Sequence, residues 1–369
     1  MANLELVIKT TNRCNAVCSY CSADATTGGD SADISIDLVK LLLDQAAELV
    51  EEGRFDAIQF LWHGGEPLVM GKSFFKDVLR FNRPGELIHR IQTNLTLLDE
   101  EWLDILGPLV GKDGIGTSFD PFADTRRLIH DDYRRAWLQA MALLGKREWS
   151  IGCVYVLHRL SMDNAQDVYW FFRNLRNNSR LSLRVNPILH VGRAMTRHCD
   201  DLNLRPGDYA SFITEIGEAW YRDRNRLQVS PLNDFQAAIV NGSQITTCEY
   251  AGAEGCVGVR LGIDHRGNVY TCGRAVDAGA ETFGNLSSST LRQCLDSPIR
   301  KKLRNRERLL LSGPCRSCPY WAYCHGGCLF ESHMMFGPDG SPTAFCPDLK
   351  RIFSWMIDRL STYHTPDRE

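Results

Sequence analysis

The sequence predicts an α/β fold: a partial (β/α)6 TIM-like barrel followed by a small cysteine-rich domain. Three observations point there. Strand-like and helix-like segments alternate through the first half of the chain. That alternation breaks near residues 190–206. Beyond the break, cysteines crowd into two groups. A chain of 369 residues is long enough for a barrel with an appendage.

Strands are expected at residues 4–9, 57–62, 87–93, 114–119, 150–157 and 181–187, where apolar runs are bounded by turn residues. Helices are expected between them at 36–52, 73–81, 99–106, 131–145 and 163–177. The first is the clearest, because Leu38, Leu41, Leu42, Gln45 and Leu49 recur with a 3.6-residue period. Six such repeats imply a parallel sheet with right-handed crossovers. Chemistry on this architecture gathers in the loops that follow the strands. Downstream, a helix is expected at 208–222 and a hairpin at 260–272 with Gly267 and Asn268 at its turn. A single helix is expected over 290–308, then a cysteine-rich loop, then a last helix over 346–360. The expected domain boundary lies between residues 205 and 206. The basic run Arg300, Lys301, Lys302, Arg304, Arg306 and Arg308 reads as a solvated helix face, or as a surface for an acidic peptide.

Lys plus Arg is 42 and Asp plus Glu is 45, a net charge of −3, so no charge excess points to nucleic acid or a membrane surface. No apolar run approaches the ~18 residues of a membrane span. The first residues lack a signal peptide's apolar stretch, which predicts a cytoplasmic protein. In a reducing compartment, 14 cysteines point to metal or redox chemistry rather than disulfides.

Cys14, Cys18 and Cys21 form a C-x3-C-x2-C group directly after the first strand. Three thiolates leave one iron of a four-iron cubane open, as a catalytic metal site requires. On spacing alone, zinc is the alternative. Cys248, Cys256 and Cys272 read C-x7-C-x15-C, and Cys315, Cys318, Cys324, Cys328 and Cys346 read C-x2-C-x5-C-x3-C-x17-C. Eight thiolates suit two four-cysteine clusters, or tetrahedral zinc knuckles. Three cysteines remain: Cys153 and Cys294 in apolar segments, read as small core residues, and Cys199 in a polar loop, read as a spare thiol. Tyr320, Trp321 and Tyr323 between the cysteines either shield a cluster from water or simply pack.

The N-terminal triplet, with Tyr20 at its aromatic position, resembles the signature of the radical S-adenosylmethionine (SAM) enzymes. Gly64-Gly65-Glu66-Pro67 after the second strand resembles the element that holds the methionine amino group of SAM. Asn94 ends the third strand in Gln92-Thr93-Asn94. Ser118 in IGTSFDP stands at the family's SAM-binding serine, although Pro121 replaces the glycine usual there. Arg134 in His130-Asp131-Asp132-Tyr133-Arg134 resembles the arginine that contacts the SAM carboxylate, or is an exposed helix arginine. The downstream cysteines resemble the SPASM extension of enzymes that modify peptides. That resemblance implies one auxiliary cluster on Cys248, Cys256, Cys272 and Cys328, and another on Cys315, Cys318, Cys324 and Cys346. Three [4Fe-4S] clusters and SAM are then the implied cofactors.

The resemblance implies a SAM-derived radical that takes hydrogen from a precursor peptide. It implies as partners that peptide and a one-electron reductant such as ferredoxin or flavodoxin. Because Cys14 stands so near the first residue, the precursor is expected to be recognised elsewhere or by a separate leader-binding protein. The sulfatase-maturating branch carries an aspartate base directly after the hairpin cysteine, and Gly273 stands at that place here. The stretch Leu61-Trp62-His63-Gly64-Gly65-Glu66-Pro67-Leu68 looks more like maturases that form carbon–carbon cyclophane crosslinks. Thioether formation, epimerisation and formylglycine formation stay open, as does a zinc-stabilised interaction protein without catalysis.

Overall fold

The computed structural model describes residues 3–25, 32–83, 85–176, 180–243, 245, 247–337 and 340–363. The first half alternates as expected. Strand β1 (Leu4–Lys9) leads through the short β2 (Ala16–Cys18) to α1 (Ile36–Glu51), β3 (Ile58–His63), α2 (Lys72–Phe81), β4 (Leu87–Gln92) and α3 (Glu100–Val110). Then come β5 (Ile115–Ser118), the short β6 (Arg126–Leu128), α4 (Tyr133–Lys146), β7 (Ser150–Leu157), α5 (Ala165–Leu175) and β8 (Arg180–Pro187). Side-chain oxygens start the helices where the chain leaves the sheet: Ser35, Asp99 and Asp132 accept from the backbone amides of Leu38, Trp102 and Arg135. The fifth helix starts later than expected, because Arg159–Asn164 forms a 3-10 turn first. Its expected end, residue 177, lies outside the described residues.

The second half adds α6 (Asp208–Arg222), β9 (Gln228–Ser230), α7 (Leu232–Asn241), α8 (Gly252–Cys256), β10 (Arg260–Ile263), β11 (Asn268–Tyr270), α9 (Gly273–Asp277) and β12 (Gly284–Asn285). The hairpin turn is Asp264 to Gly267, closed by the Gly267 amide on the Asp264 carbonyl at 3.0 Å. Asn268 therefore opens the second strand instead of sitting in the turn. The helix expected over 290–308 is three pieces, α10 (Leu291–Leu295), α11 (Pro298–Arg304) and α12 (Arg306–Leu311). Pro298 cannot continue a preceding helix and starts a new one at its first position. The break also rotates the basic run: Arg300 and Arg306 are buried, while Lys301, Lys302, Arg304 and Arg308 stay exposed. The chain closes with α13 (Trp321–Cys324), α14 (Leu329–Phe336) and α15 (Cys346–Tyr363).

The sheet runs β12-β11-β10-β1-β3-β4-β5-β7-β8-β9. From β10 to β9 every pairing is parallel, and β11 and β12 continue beyond β10 antiparallel. The six expected strands form the middle of this open barrel-like sheet. Two strands from beyond residue 205 flank them, β9 beside β8 and β10 beside β1. Leu4, Leu6, Ile8, Ile58, Phe60 and Trp62 pack with Val39, Leu42, Phe75 and Leu106 of the helices in one core. Pleat alternation turns Lys9, His63, Gln92 and Ser118 to the opposite face. Among the described residues no helix is long and apolar enough to cross a membrane.

Candidate active site

The loop that carries the cysteine triplet is pinned from below by the turn after β3. The Gly65 and Glu66 amides donate to the carbonyls of Thr11 and Arg13, both at 2.8 Å. A Cβ at Gly64 would lie 2.7 Å from the Thr11 oxygen, and one at Gly65 only 2.2 Å from the Arg13 oxygen. Both positions need glycine because the two backbones touch. The same loop is strapped by Asp33, which accepts from Thr11 Oγ1 at 2.6 Å and pairs with Arg13 at 2.6 Å.

Glu66 is buried at 1% exposure. Its Oε1 accepts from the Leu68 amide at 3.0 Å and from Thr93 Oγ1 at 2.6 Å, and its Oε2 accepts from the Asn94 amide at 2.7 Å. Burial pushes its carboxyl up to about 7, against the pull of those three donors. The carboxylate thus ties the end of β4 to the glycine turn. Asn94 then reaches the triplet: its Nδ2 stands 3.9 Å from Cys14 Sγ and donates to Asn15 Oδ1 at 2.9 Å. Burial raises the Cys14 thiol to about 12 and the Cys18 thiol to about 11. Thiols this reluctant to ionise need a strong positive centre to become thiolates.

Short strands β2 and β6 pair antiparallel with Cys18 opposite Arg126. The Arg126 side chain is 10% exposed and its Nε pairs with Asp120 Oδ2 at 3.0 Å. Thr125 Oγ1 donates to the same oxygen at 2.9 Å, and the buried Tyr20 hydroxyl also donates to it. Arg126 Nη1 reaches Ser118 Oγ at 3.4 Å. Tyr20, Ser118, Asp120 and Arg126 therefore form one buried polar wall beside Cys18. Among the described residues Asp120 Oδ1 and His158 Nε2 are buried without a hydrogen-bond partner. Beside this wall a cleft of about 680 Å³ is lined by Phe119, Asp120, Phe122, Arg126 and Tyr133. A buried orphan acceptor, Asp120, lining this cleft fits a polar ligand such as SAM.

Arg134 lines the outer part of the same cleft. It is exposed on α4, its Nη1 donating to the Pro121 carbonyl at 2.8 Å with the guanidinium 5.8 Å from the Phe171 ring. Arg126, which no sequence pattern singled out, is the arginine across from Cys18. A second unanticipated arginine is Arg193, whose amide donates to the Cys21 carbonyl at 3.0 Å and whose Nη1 reaches the Cys18 carbonyl at 3.3 Å. The same segment buries Cys199, whose thiol donates to the Ser19 carbonyl at 3.0 Å. Cys199 is therefore no exposed spare thiol, because the loop carrying it folds under the cysteine triplet. Cys153 and Cys294 are buried in β7 and α10.

The eight downstream cysteines fall into two groups in space. Cys315, Cys318, Cys324 and Cys346 all line one cavity of about 120 Å³. Tyr320 and Trp321 close it with Pro314 and Phe353. Tyr323 instead packs its ring 5.6 Å from Phe353. In the second group Cys248, Cys256, Cys272 and Cys328 lie close enough to act on one another electrostatically. Arg274 Nη1 stands 3.5 Å from Cys328 Sγ and pairs with Glu249 at 2.6 Å. Glu249 also pairs with Arg184, and the two arginines hold its carboxyl down to about 2 against burial. Among the described residues no His, Cys, Asp or Glu group is arranged to hold a single metal ion. A four-iron cube takes its thiolates at separate corners, so four cysteines around a void fit that group.

Residues 8–171 match the radical SAM superfamily, and residues 256–319 match the SPASM iron–sulfur cluster-binding domain. The chain is 23% identical over 389 residues to a cysteine-type anaerobic sulfatase-maturating enzyme of Clostridium perfringens, covering 98% of each chain. It is 24% identical over 345 residues to a serine-type anaerobic sulfatase-maturating enzyme of Bacteroides thetaiotaomicron, covering 85% of this chain and 80% of that one. Among solved structures it resembles native anSMEcpe with bound AdoMet, with a TM-score of 0.79 at 22% identity and 98% of each chain covered. It also resembles Streptococcus suis SuiB bound to the precursor peptide SuiA, with a TM-score of 0.64 at 15% identity, over 94% of this chain and 76% of that one. The first match contains the cysteine triplet and its glycine turn, and the second reaches Cys256, Cys272, Cys315 and Cys318. The chain therefore carries a radical SAM domain followed by a SPASM domain.

Proposed function

We propose that this protein is a peptide maturase that removes hydrogen from a precursor peptide and closes a crosslink, a carbon–carbon cyclophane or a thioether. The observation that carries the reading is the cysteine triplet fixed by Glu66 and Asn94 on a chain that also holds two four-cysteine groups. SAM bound at a three-cysteine cluster supplies, after one-electron reduction, a 5′-deoxyadenosyl radical that takes hydrogen from unactivated carbon. Cys14, Cys18 and Cys21 would hold that cluster. The turn from Gly64 to Pro67 and Asn94 would orient the methionine end of SAM. Tyr20, Ser118 and Arg126 would line its pocket and exclude water, with Arg134 at the rim of the cleft. The two downstream tetrads would hold auxiliary clusters able to accept an electron from the oxidised peptide. A ferredoxin or flavodoxin would supply the first electron, and a separate leader-binding protein would present the peptide. A cytoplasmic location, where thiols stay reduced, suits this chemistry.

Crosslinking is favoured over formylglycine formation by Gly273. A Cβ there would lie 2.7 Å from Val7 Cγ1, so the aspartate of the sulfatase-maturating branch would have to displace Val7, because α9 packs on β1. The likeness to sulfatase-maturating enzymes supports protein oxidation as the second reading. Anaerobic turnover with a candidate peptide separates the two. A crosslinked product loses two hydrogens and ignores a hydrazide probe, whereas a formylglycine aldehyde reacts with it. A hydrazide-reactive product would replace the first reading with the second.

A further inference from the structure

Two residues of the basic run point inward, and one of them sits at the joint between the two cysteine tetrads. Cys324 belongs to one tetrad and Cys328 to the other, and only His325, Gly326 and Gly327 separate them. The Arg306 guanidinium binds that link: Nη1 donates to the Gly327 carbonyl at 2.9 Å and Nη2 to the Gly326 carbonyl at 3.0 Å. Nη2 also donates to the Ser341 carbonyl at 3.0 Å. The residue is 7% exposed.

A buried guanidinium normally has a carboxylate partner, because carbonyl dipoles alone do not offset the loss of hydration. Among the described residues Arg306 has none within ion-pair distance. Arg274 is neutralised by Glu249 at 2.6 Å. Arg300 also bonds backbone carbonyls, of Leu295 at 2.8 Å and Gly258 at 2.7 Å, but the anions that act on it are the carboxylates Asp296 and Glu254. The groups whose ionisation acts on Arg306 are instead cysteines, as thiolates: Cys328 and Cys256 of one tetrad, Cys315 and Cys324 of the other.

We infer that Arg306 is a counter-charge shared by both auxiliary iron–sulfur clusters, holding the reduction potentials of the two up together. A fixed positive charge between two anionic clusters favours the reduced, more negative state of each. Its bonds to the carbonyls of His325, Gly326, Gly327 and Ser341 keep it in place, so it does not reorganise when an electron arrives. The inference rests on the reading that both tetrads hold clusters.

The test uses the full chain in a Cys18→Ala background, reconstituted anaerobically so that only auxiliary clusters contribute. Iron content and both auxiliary midpoint potentials, followed by paramagnetic resonance, are compared for Arg306, Arg306→Gln and Arg306→Lys. The expected result is that Gln keeps the iron but moves both potentials to more negative values, and that Lys restores them. If Gln loses iron while Lys keeps it with parental potentials, the charge is again the cause. Unmoved potentials, a shift at one cluster alone, Lys as negative as Gln, or iron lost from both variants would each overturn the inference. A parent protein that folds without iron would remove the cluster reading itself, and this inference with it.

Discussion

Glu66 shows how much one buried carboxylate settles. It accepts from two backbone amides and one hydroxyl drawn from two loops, and through Asn94 it reaches Cys14. Glu66→Ala is expected to weaken SAM binding by roughly 1.5–3 kcal/mol, the range for a hydrogen bond to a charged group. A binding isotherm checks it, and unchanged affinity would detach this residue from the site. Another residue makes the fold sensitive to acid. His89 accepts from Trp62 Nε1 at 3.1 Å in the helix-facing core, and burial alone lowers its pKa to about 4. Unfolded histidine takes a proton near pH 6.5, whereas the folded residue refuses it until about pH 4. The stability that His89 contributes is therefore present above pH 6.5 and lost as pH falls toward 4, in all about 3 kcal/mol. Urea melts between pH 7 and 4.5 should show a shallower loss for His89→Phe than for the parent chain.

The elements that position the site depend on close backbone approach. Gly65→Ala places a Cβ 2.2 Å from the Arg13 oxygen, which is backbone and cannot step aside. The variant is expected to lose the iron of the triplet while keeping the auxiliary iron, as an iron count on reconstituted protein will show. Gly273→Asp pushes into Val7 instead, an overpacking that costs typically 1–3 kcal/mol. It is expected to lower the melting temperature without creating hydrazide-reactive product. The sequence patterns anticipated the barrel strands and their helices because each strand is an apolar run and each helix an apolar stripe. They failed where packing overrode pattern. The 290–308 segment scores as one helix, yet Pro298 divides it and two of its arginines turn inward. Arg126 carries no periodic signal, since its place is set by a three-residue strand opposite Cys18.

At the scale of the whole molecule, eight parallel strands bring together parts of the chain far apart in sequence. β10 pairs with β1 across more than two hundred residues, and beyond it Asp277 at the end of α9 accepts from Ser22 Oγ next to Cys21 at 2.9 Å. Spacing listed the cysteines but not their partition. The crossing of Cys324 and Cys328 into different groups follows from the glycine link between them and the cavity that Cys346 closes from α15. Cys18→Ala is expected to abolish SAM cleavage while most auxiliary iron remains, because the triplet and the tetrads lie on separate loops. Loss of all iron together would show that the cysteines are divided wrongly. The most direct measurement is of the protein reconstituted without oxygen, supplied with dithionite and SAM, and assayed for 5′-deoxyadenosine. The account predicts its formation, dependent on Cys14, Cys18 and Cys21. A folded protein that binds zinc alone and forms no deoxyadenosine would contradict it.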